Sequence, residues 1–405
     1  MSADNSPAER DLRVIFAGGG TGGHIMPGAA TAEALRAMFP KARSLFLVTP
    51  RRAERCFRWA IADFEVATIP AARWQGALQK LRFAATAVAV AERSLDVIRQ
   101  FRAHVVVGLG GYSSVVPVLV ARALAVPTMV FESNAVPGRV VRMLAPLVDC
   151  VQLQWEDAAL DLKARRVLVS GNPERARLFA GDRQAARRRF GLEPDRFTLL
   201  VVGGSQGALP LNRLLATALW RLSVPPDRPL AQALQVLHLT GPDHIEEALW
   251  ASAPRDILYR PIGFLEEMQD AYAVADLVLA RAGGSTLAQI TALGLPSVLV
   301  PYPHATDDHQ SANAAVLARA GAAVAVAQAD LSPEKLAGII AGLVQQPERL
   351  AGMASAARAL GRPDAARVVA ACLAAMAGLR LQASSITGVG IGLEHSVRCE
   401  SRKAA

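Results

Sequence analysis

Near the start of the chain stands Arg13-Val14-Ile15-Phe16-Ala17-Gly18-Gly19-Gly20-Thr21-Gly22-Gly23-His24, an apolar run that leads into a glycine-rich turn. The run predicts a buried β-strand, and the alanine-rich segment from Pro27 to about Met38 predicts a helix. We expect Pro27 in the first helical turn, where its missing N–H group costs nothing. Glycines between a strand and a helix let a ligand approach the backbone, and the free N–H groups at the helix start attract an anion.

The same alternation of strand, turn and helix continues along the chain. Further buried strands are predicted at Ser44–Val48, Phe64–Ile69, Val105–Gly108 and Thr128–Phe131, with a long helix over Gly76–Phe101. Continuous apolar runs separated by helices are typical of parallel strands that are covered on both faces. The fold class is therefore α/β, with a doubly wound parallel sheet.

The pattern then starts again at Phe197–Val202, which is followed by a second glycine-rich turn. The later predicted elements are the strands Gln235–Thr240, Leu277–Ala280 and Pro296–Val300 and the helices His244–Ser252, Thr286–Leu293 and Gln310–Ala320. We expect two Rossmann-like domains, residues 12–177 and 178–380, facing a central cleft, with the boundary in the arginine-rich stretch Glu174–Asp195. The last helix of the second domain is expected to pack back on the first, and residues 381–405 to form a disordered tail.

Composition narrows the class of protein. The chain has 405 residues, of which 52% are hydrophobic and 20% charged, which indicates a globular protein with a large core. The net charge of +9 favours anionic partners such as phosphates, nucleic acid or an acidic membrane surface. The four cysteines lie far apart, which argues against a disulfide framework or a structural zinc site and favours a reducing compartment. Neither a signal peptide nor a transmembrane span is predicted.

One basic segment has two interpretations. Residues 51–100 contain nine Lys or Arg and five Asp or Glu, a net charge of +4. Within them, Arg73, Trp74, Lys80 and Arg82 belong to a stretch that mixes basic and bulky apolar residues. This stretch is either a solvated helix face or an amphipathic surface at anionic phospholipid headgroups.

The glycine-rich turns indicate a ligand cleft but leave its ligand open. The spacing Gly18-x-Gly20-x-x-Gly23 fits a dinucleotide fingerprint, yet the second strand ends at Thr49-Pro50 without the carboxylate that would hold the ribose. A P-loop is equally disfavoured, because His24 stands where its lysine would be. Three further turns follow predicted strands, at Gly108–Ser114, Gly203–Ala208 and Arg281–Thr286, which favours a cleft at the carboxyl ends of the strands.

These motifs resemble the MurG family, the peptidoglycan N-acetylglucosamine transferases of glycosyltransferase family 28. The resemblance covers roughly Arg13 to Leu373. Its landmarks are Gly19-Gly20-Thr21-Gly22-Gly23-His24, Gly110-Gly111-Tyr112, Asn134-Ala135-Val136-Pro137-Gly138, Gly171-Asn172-Pro173-x-Arg175, Gly203-Gly204-Ser205-Gln206-Gly207-Ala208, Val300-Pro301-Tyr302-Pro303-His304 and Gly361-Arg362-Pro363-Asp364-Ala365-Ala366.

The resemblance implies the GT-B architecture and an inverting transfer that needs neither metal nor other cofactor. The implied donor is UDP-GlcNAc, and the implied acceptor is the C4 hydroxyl of lipid I, the undecaprenyl-linked MurNAc-pentapeptide, which becomes lipid II. The implied location is peripheral, on the cytoplasmic face of the bacterial inner membrane. The partners would be these substrates, an anionic phospholipid surface and other cell-wall synthesis proteins, not nucleic acid.

The motifs carry roles over residue by residue. His24 is the expected catalytic base, since an imidazole with a pKa near 6.5 suits proton transfer at neutral pH; the alternatives are a phosphate contact or a helix cap. Donor contacts are expected at Thr21, Gly22, Gly23, Asn134, Arg175, Ser205, Leu265, Gly284, Ser285, Thr286, Leu287, Ala288, Gln289, His309 and Gln310. The acceptor and membrane side is expected at Gly110, Gly111, Tyr112, Arg73, Trp74, Lys80 and Arg82, and no metal ligand is expected.

The chain departs from the family pattern at several positions. Gln289 stands where the family usually carries a glutamate on the ribose, so a charge-assisted hydrogen bond would be lost. Phe131 replaces a usual histidine, and Val115 a usual glycine. His304 and His309 stay alternative bases. Three rival functions also stay open: another GT-B transferase with a different acceptor, an NAD-dependent oxidoreductase, and a non-catalytic protein that binds a sugar nucleotide.

Overall fold

The computed structural model describes residues 11–19, 22–50, 58–70, 79–160, 162–250 and 254–379. The chain divides into two compact α/β units. Unit 1 contains the described residues up to Arg175 together with those from Pro363 onward, and unit 2 runs from Ala176 to Arg362.

Unit 1 is built on a seven-stranded sheet in the order β3-β2-β1-β4-β5-β6-β7, and every pair of neighbouring strands is parallel. The strands are β1 (Arg13–Ala17), β2 (Arg43–Val48), β3 (Glu65–Thr68), β4 (Val105–Gly108), β5 (Thr128–Glu132), β6 (Cys150–Leu153) and β7 (Val167–Val169). The helices are α1 (Gly22–Met38), α2 (Gln79–Phe101), α3 (Val115–Ala123), α4 (Arg139–Leu144) and, from the end of the chain, α14 (Ala365–Met376).

The core of unit 1 holds α14 against the sheet layer. Phe16 of β1 stacks on Phe46 of β2 with ring centroids 5.1 Å apart. Val369 and Leu373 of α14 are fully buried in the same cluster, and α14 packs along α1. Burial of these apolar side chains stabilises the return of the chain to unit 1.

Unit 2 repeats the design with a six-stranded sheet in the order β10-β9-β8-β11-β12-β13, also parallel throughout. The strands are β8 (Phe197–Val202), β9 (Leu234–Leu239), β10 (Leu258–Ile262), β11 (Leu277–Ala280), β12 (Ser297–Leu299) and β13 (Ala323–Ala325). The helices are α5 (Arg183–Phe190), α6 (Leu209–Leu222), α7 (Arg228–Ala233), α8 (Ile245–Trp250), α9 (Gln269–Val274), α10 (Gly284–Leu293), α11 (His309–Arg319), α12 (Pro333–Val344) and α13 (Pro347–Leu360).

The predicted fold class is confirmed, since both units are doubly wound parallel α/β sheets. The expected place of Pro27 is wrong: helix α1 begins at Gly22, so Pro27 is its sixth residue. Ile25, in the first turn of this helix, is fully buried, and its packing stabilises the helical conformation of the first turn. Pro27 therefore lacks the N–H group that would bond to the Gly23 carbonyl. The first residues predicted for α2, 76–78, lie outside the described residues, as do residues 381–405.

None of the described helices is long and apolar enough to cross a membrane.

Candidate active site

The strand order places the glycine-rich turns at one point in each unit. Strand β1 lies beside β4 in unit 1, and β8 lies beside β11 in unit 2. At both places the order of the strands reverses, so the connections leave toward opposite faces of the sheet. A crevice opens there at the carboxyl ends of the strands, which is where open α/β sheets bind ligands.

In unit 1, two turns touch each other at this switch point. The Ser113 hydroxyl donates a hydrogen bond to the Gly19 carbonyl at 2.9 Å. Gly18 has a φ of +98°, and a Cβ built on it would lie 2.8 Å from Cβ of Ser114. Glycine is required at this position by both the backbone conformation and the space. The sequence pattern thus brings the turn after β1 against the turn after β4.

His24 lies between these turns, as the third residue of α1. A Cβ atom built on Gly110 would come within 2.9 Å of the imidazole Cδ2 and 3.1 Å of Nε2, so the ring packs on the bare backbone of that glycine. Burial lowers the pKa of His24 below its ordinary value of 6.5. The start of a helix also disfavours a positive charge. At neutral pH the side chain is therefore a neutral imidazole, which can accept a proton.

Asn134 follows β5, the strand next to β4, in a turn organised by Glu132. Both the backbone N–H and the side-chain amide of Asn134 donate to Glu132 Oε1 at 2.9 Å. The other carboxylate oxygen accepts from the Gly138 N–H at 2.7 Å. Phe131 is buried in the hydrophobic core, so its side chain supports the sheet.

Arg175 is buried at the end of unit 1. Its Nε and Nη2 donate to Glu33 Oε1 on α1, and its guanidinium lies over the Trp59 ring at 5.7 Å. Its third nitrogen, Nη1, is buried without a hydrogen-bond partner among the described residues. A buried donor without a partner is costly, and a bound anion or water would satisfy it.

In unit 2, the turn Gly203–Gly207 joins β8 to α6. The Gly207 N–H donates to the Gly204 carbonyl at 2.9 Å, and a Cβ built on Gly204 would meet nothing within 4 Å. Ser205 is exposed on this open turn. The turn thus combines a fixed backbone with free space beside it, which suits a ligand that contacts backbone groups.

Helix α10 begins beside this turn, after β11, and contains all six residues from Gly284 to Gln289. Its first internal hydrogen bond runs from the Leu287 N–H to the Gly283 carbonyl at 3.0 Å, so the N–H groups of Gly284, Ser285 and Thr286 precede the helical ladder. The Ser285 hydroxyl is buried without a partner among the described residues. Leu287 and Ala288 are buried in the core and position the helix.

Gln289 is held by a residue that the sequence did not single out. The hydroxyl of Tyr272, which is buried on α9, donates to Gln289 Oε1 at 2.9 Å. The amide oxygen is thereby occupied by the protein itself. A carboxylate at this position would accept the same bond with one oxygen and present a second oxygen.

Gln310 connects two loops of unit 2. Its Oε1 accepts from the Ala282 N–H at 3.2 Å, before α10, and from the Tyr302 N–H at 2.9 Å, after β12. Arg281 braces the same loops, because its Nη1 donates to the carbonyls of Val300 and Pro301 at 3.0 Å. Arg281 is another residue whose role the sequence did not reveal.

The other candidates are less closely tied to these turns. Leu265 is half-buried in the loop after β10, and Tyr112 is exposed. His309 begins α11, with its Nδ1 2.7 Å from the Thr306 carbonyl, and His304 stacks edge-on against Tyr302.

Gly22 and Gly23 begin α1, and Gly111 precedes Tyr112 with a φ of +70°. Thr21, Arg73 and Trp74, and the side chains of Lys80 and Arg82 on α2, lie outside the described part of the chain.

No group of three or more His, Cys, Asp or Glu side chains among the described residues is arranged to hold a metal ion.

Comparison with known proteins agrees with this arrangement. The model of the Glycosyltransferase family 28 N-terminal domain matches residues 14–152, and that of the Glycosyltransferase family 28 C-terminal domain matches residues 198–369. Among solved structures, MurG of Acinetobacter baumannii is similar with a TM-score of 0.71 at 27% identity, over 89% of this chain and 99% of that one.

Curated relatives extend the similarity to almost the whole chain. The UDP-N-acetylglucosamine--N-acetylmuramyl-(pentapeptide) pyrophosphoryl-undecaprenol N-acetylglucosamine transferase of Geobacter sulfurreducens is 35% identical over 359 residues, which is 88% of this chain and 97% of the relative. The transferase of the same name from Syntrophus aciditrophicus is 36% identical over 365 residues, 90% and 98% of the two chains. Together with these matches, the two parallel α/β units define a glycosyltransferase of the GT-B class. Within that class, the chain belongs to glycosyltransferase family 28.

Proposed function

We propose that the protein transfers N-acetylglucosamine from UDP-GlcNAc to the C4 hydroxyl of lipid I and so forms lipid II, a precursor of peptidoglycan. The observation that carries the chemistry is the neutral imidazole of His24, packed on Gly110 at the switch point of unit 1. The named relatives, matched over nine-tenths of their length or more, support the identity of donor and acceptor.

The donor binds in the first instance to unit 2. The N–H groups that start α10 and the Ser285 hydroxyl are suited to the diphosphate, since a helix start attracts negative charge. Ser205 adds a hydroxyl from the turn after β8, and Gln289 contacts the ribose. Gln310 contacts the sugar through its amide nitrogen, because its oxygen is held by two backbone N–H groups. Leu265 lies against the uracil, and His309 takes part as a further polar contact.

The reaction exchanges one bond for another at the anomeric carbon. The C4 oxygen of the acceptor forms a bond to that carbon, and the bond from the carbon to the β-phosphate oxygen breaks, so that UDP leaves with the electron pair. His24 accepts the proton of the attacking hydroxyl. The N–H groups at the start of α10 stabilise the negative charge that develops on UDP. Arg175, whose Nη1 is buried without a hydrogen-bond partner among the described residues, stays an expected donor contact.

Unit 1 contributes the acceptor side. Gly110, Gly111 and Tyr112 border His24 or follow directly from the turn that touches it. Asn134, at the end of the neighbouring strand β5, stays an expected contact of the donor. Because lipid I is anchored by its polyprenyl chain, the acceptor side has to face the headgroups of the inner membrane. The basic and apolar segment Arg73–Phe83 is our candidate for that contact, since such segments bind anionic bilayers reversibly.

The test is transfer of label from UDP-GlcNAc to a lipid I analogue, followed together with UDP release, in buffer with excess EDTA. We expect transfer that depends on lipid I and persists in EDTA. Transfer to a soluble acceptor with none to lipid I would replace the proposed acceptor. UDP-GlcNAc binding without any UDP release would make the chain a binding protein, and loss of transfer that Mg²⁺ restores would refute the metal-independent mechanism.

A further inference from the structure

A buried polar chain in unit 2 leads from the sheet to the turn Gly203–Gly207. Its members are Tyr259 on β10, His238 on β9 and Asn212 near the start of α6. The Tyr259 hydroxyl is 2.7 Å from His238 Nδ1, and His238 Nε2 is 3.0 Å from Asn212 Oδ1. The Asn212 amide nitrogen donates to the Thr240 carbonyl at 2.8 Å. None of these side chains belongs to the donor contacts proposed above.

Chemistry fixes the direction of every hydrogen in this chain. The Thr240 carbonyl can only accept, so the amide of Asn212 turns its nitrogen to that carbonyl and its oxygen to His238. That oxygen also can only accept, so His238 Nε2 is the donor. Burial lowers the pKa of His238 to about 3, so the ring is neutral and its Nδ1 accepts from the Tyr259 hydroxyl. Burial also raises the pKa of Tyr259, which keeps that proton on the hydroxyl.

The Thr240 end of this hydrogen-bonded network contacts the turn Gly203–Gly207. A Cβ built on Gly207 would lie 2.0 Å from the Thr240 carbonyl oxygen, and one built on Gly241 would lie 2.4 Å from the Gln206 carbonyl oxygen. The Thr240–Gly241 peptide and the Gln206–Gly207 peptide therefore touch backbone to backbone. A displacement of the Thr240 carbonyl therefore also displaces the backbone of Gln206 and Gly207.

We infer that His238 is a positioning residue for the nucleotide: through Asn212 and the Thr240 carbonyl it fixes the backbone of the turn Gly203–Gly207 in the conformation that binds UDP. This inference rests on the proposed function, which places the donor at that turn. His238 itself is fully buried and acts only through its two hydrogen-bond partners. Because the imidazole is neutral at every pH near neutrality, these hydrogen bonds keep the same direction over that pH range.

Strand β9 also contains a residue that serves as a matched control. Gln235, at the other end of β9, is also fully buried, and its amide nitrogen donates to the Glu193 carbonyl at 2.9 Å and to the Thr198 hydroxyl at 2.9 Å. Gln235→Leu removes at least as many buried hydrogen bonds as a substitution of His238, at the end of β9 away from the turn. It therefore measures the loss of stability alone.

The experiment measures the Kd of UDP by calorimetry and the Tm of the full chain for the wild type, His238→Phe, His238→Gln, Asn212→Asp and Gln235→Leu. We expect a Kd about three- to tenfold higher in His238→Phe and Asn212→Asp, since one lost hydrogen bond changes an equilibrium by that order. His238→Gln, which can still donate to Asn212, recovers part of the affinity. Gln235→Leu lowers the Tm and leaves the Kd at the wild-type value.

The outcomes separate the inference from the function on which it rests. Wild-type UDP affinity in folded His238→Phe and Asn212→Asp overturns the positioning role and leaves the proposed function in place. If those two variants do not fold, the same measurement is made with Asn212→Ser, whose side chain is too short to join His238 to the Thr240 carbonyl, and a wild-type Kd in that variant overturns the positioning role. Absence of UDP binding in the wild type removes the proposed function and the inference with it. Faster hydrogen exchange of the Gly207 amide in Asn212→Asp or Asn212→Ser than in Gln235→Leu supports the positioning role, and equal rates count against it.

Discussion

The imidazole of His24 occupies the space that a side chain at Gly110 would need: a Cβ built there would lie 2.9 Å from the His24 Cδ2. Gly110 also has a φ of +93°, a conformation that L-residues rarely adopt. The pair therefore links the turn after β4 to the start of α1 by direct contact. The position of the imidazole depends on the absence of a side chain at residue 110.

Gly110→Ala is expected to displace the imidazole and to lower kcat by on the order of 10²-fold, since a misplacement of about 1 Å can have such an effect. Backbone strain at positive φ adds a loss of roughly 1–2 kcal/mol in the free energy of unfolding. Gly321→Ala is the matched control, because Gly321 has a φ of +76° and a Cβ there would meet nothing within 4 Å. Steady-state kinetics and denaturant unfolding compare the two. Equal kcat values in both variants would show that the contact with His24 is immaterial.

His24→Ala is expected to lower kcat by roughly 10²–10⁴-fold, the usual contribution of a general base. The Kd of UDP should stay near that of the wild type, because the proposed donor contacts lie mainly in unit 2. Single-turnover kinetics and calorimetry separate these effects. A normal kcat together with a raised KM for UDP-GlcNAc would assign His24 to phosphate binding.

The pH profile follows from the direction of the His24 pKa. Burial places that pKa below 6.5, and the base works only when it is deprotonated. Activity should therefore be constant as the pH falls toward 6.5 and should be lost at lower pH, with the acid limb of kcat/KM centred below that value. An acid limb centred above 6.5 would contradict the assignment, as would an unchanged limb in His24→Ala.

Gln289→Glu is expected to tighten UDP binding. One carboxylate oxygen keeps the hydrogen bond from the Tyr272 hydroxyl, and the second accepts from the ribose with the added strength of a charged acceptor, about 1 kcal/mol or more. Gln289→Met, which removes both interactions at similar volume, should weaken binding. Calorimetric titration with UDP ranks the three proteins. Equal or weaker affinity of the glutamate variant would remove the ribose from this position.

The strands that the sequence predicts best are those with unbroken apolar runs. Val105–Gly108 and Phe197–Val202 are predicted at the bounds that the structure has, because both strands are buried on two faces. Strand β6 is not predicted, because the polar residue Gln152 interrupts its apolar run. Its side chain is buried and donates to the Ser170 hydroxyl and the Gly171 carbonyl, partners that no local pattern reveals.

The candidate site likewise has features that the sequence predicts and features that it does not. The glycine-rich turns are readable because a positive φ or a close approach restricts the residue type, as at Gly18. The hydrogen bonds that orient the polar side chains join distant parts of the chain, such as Tyr272 with Gln289. Nothing in the local sequence distinguishes that tyrosine from one that only fills the core.

Attachment to anionic membranes through the segment Arg73–Phe83 is the last expectation. Arg73, Lys80 and Arg82 can each contribute about 1 kcal/mol at an anionic surface, a contribution that salt screens. Co-sedimentation with vesicles should therefore rise with the content of anionic lipid, fall with salt, and fall further in the triple variant with glutamate at these three positions. The matched control places glutamate at Lys335, Arg349 and Arg362, which are exposed residues of unit 2, and makes the same change of net charge. If both triple variants lose binding equally, net charge alone attracts the protein to the vesicles; if neither does, the membrane contact lies in another part of the chain.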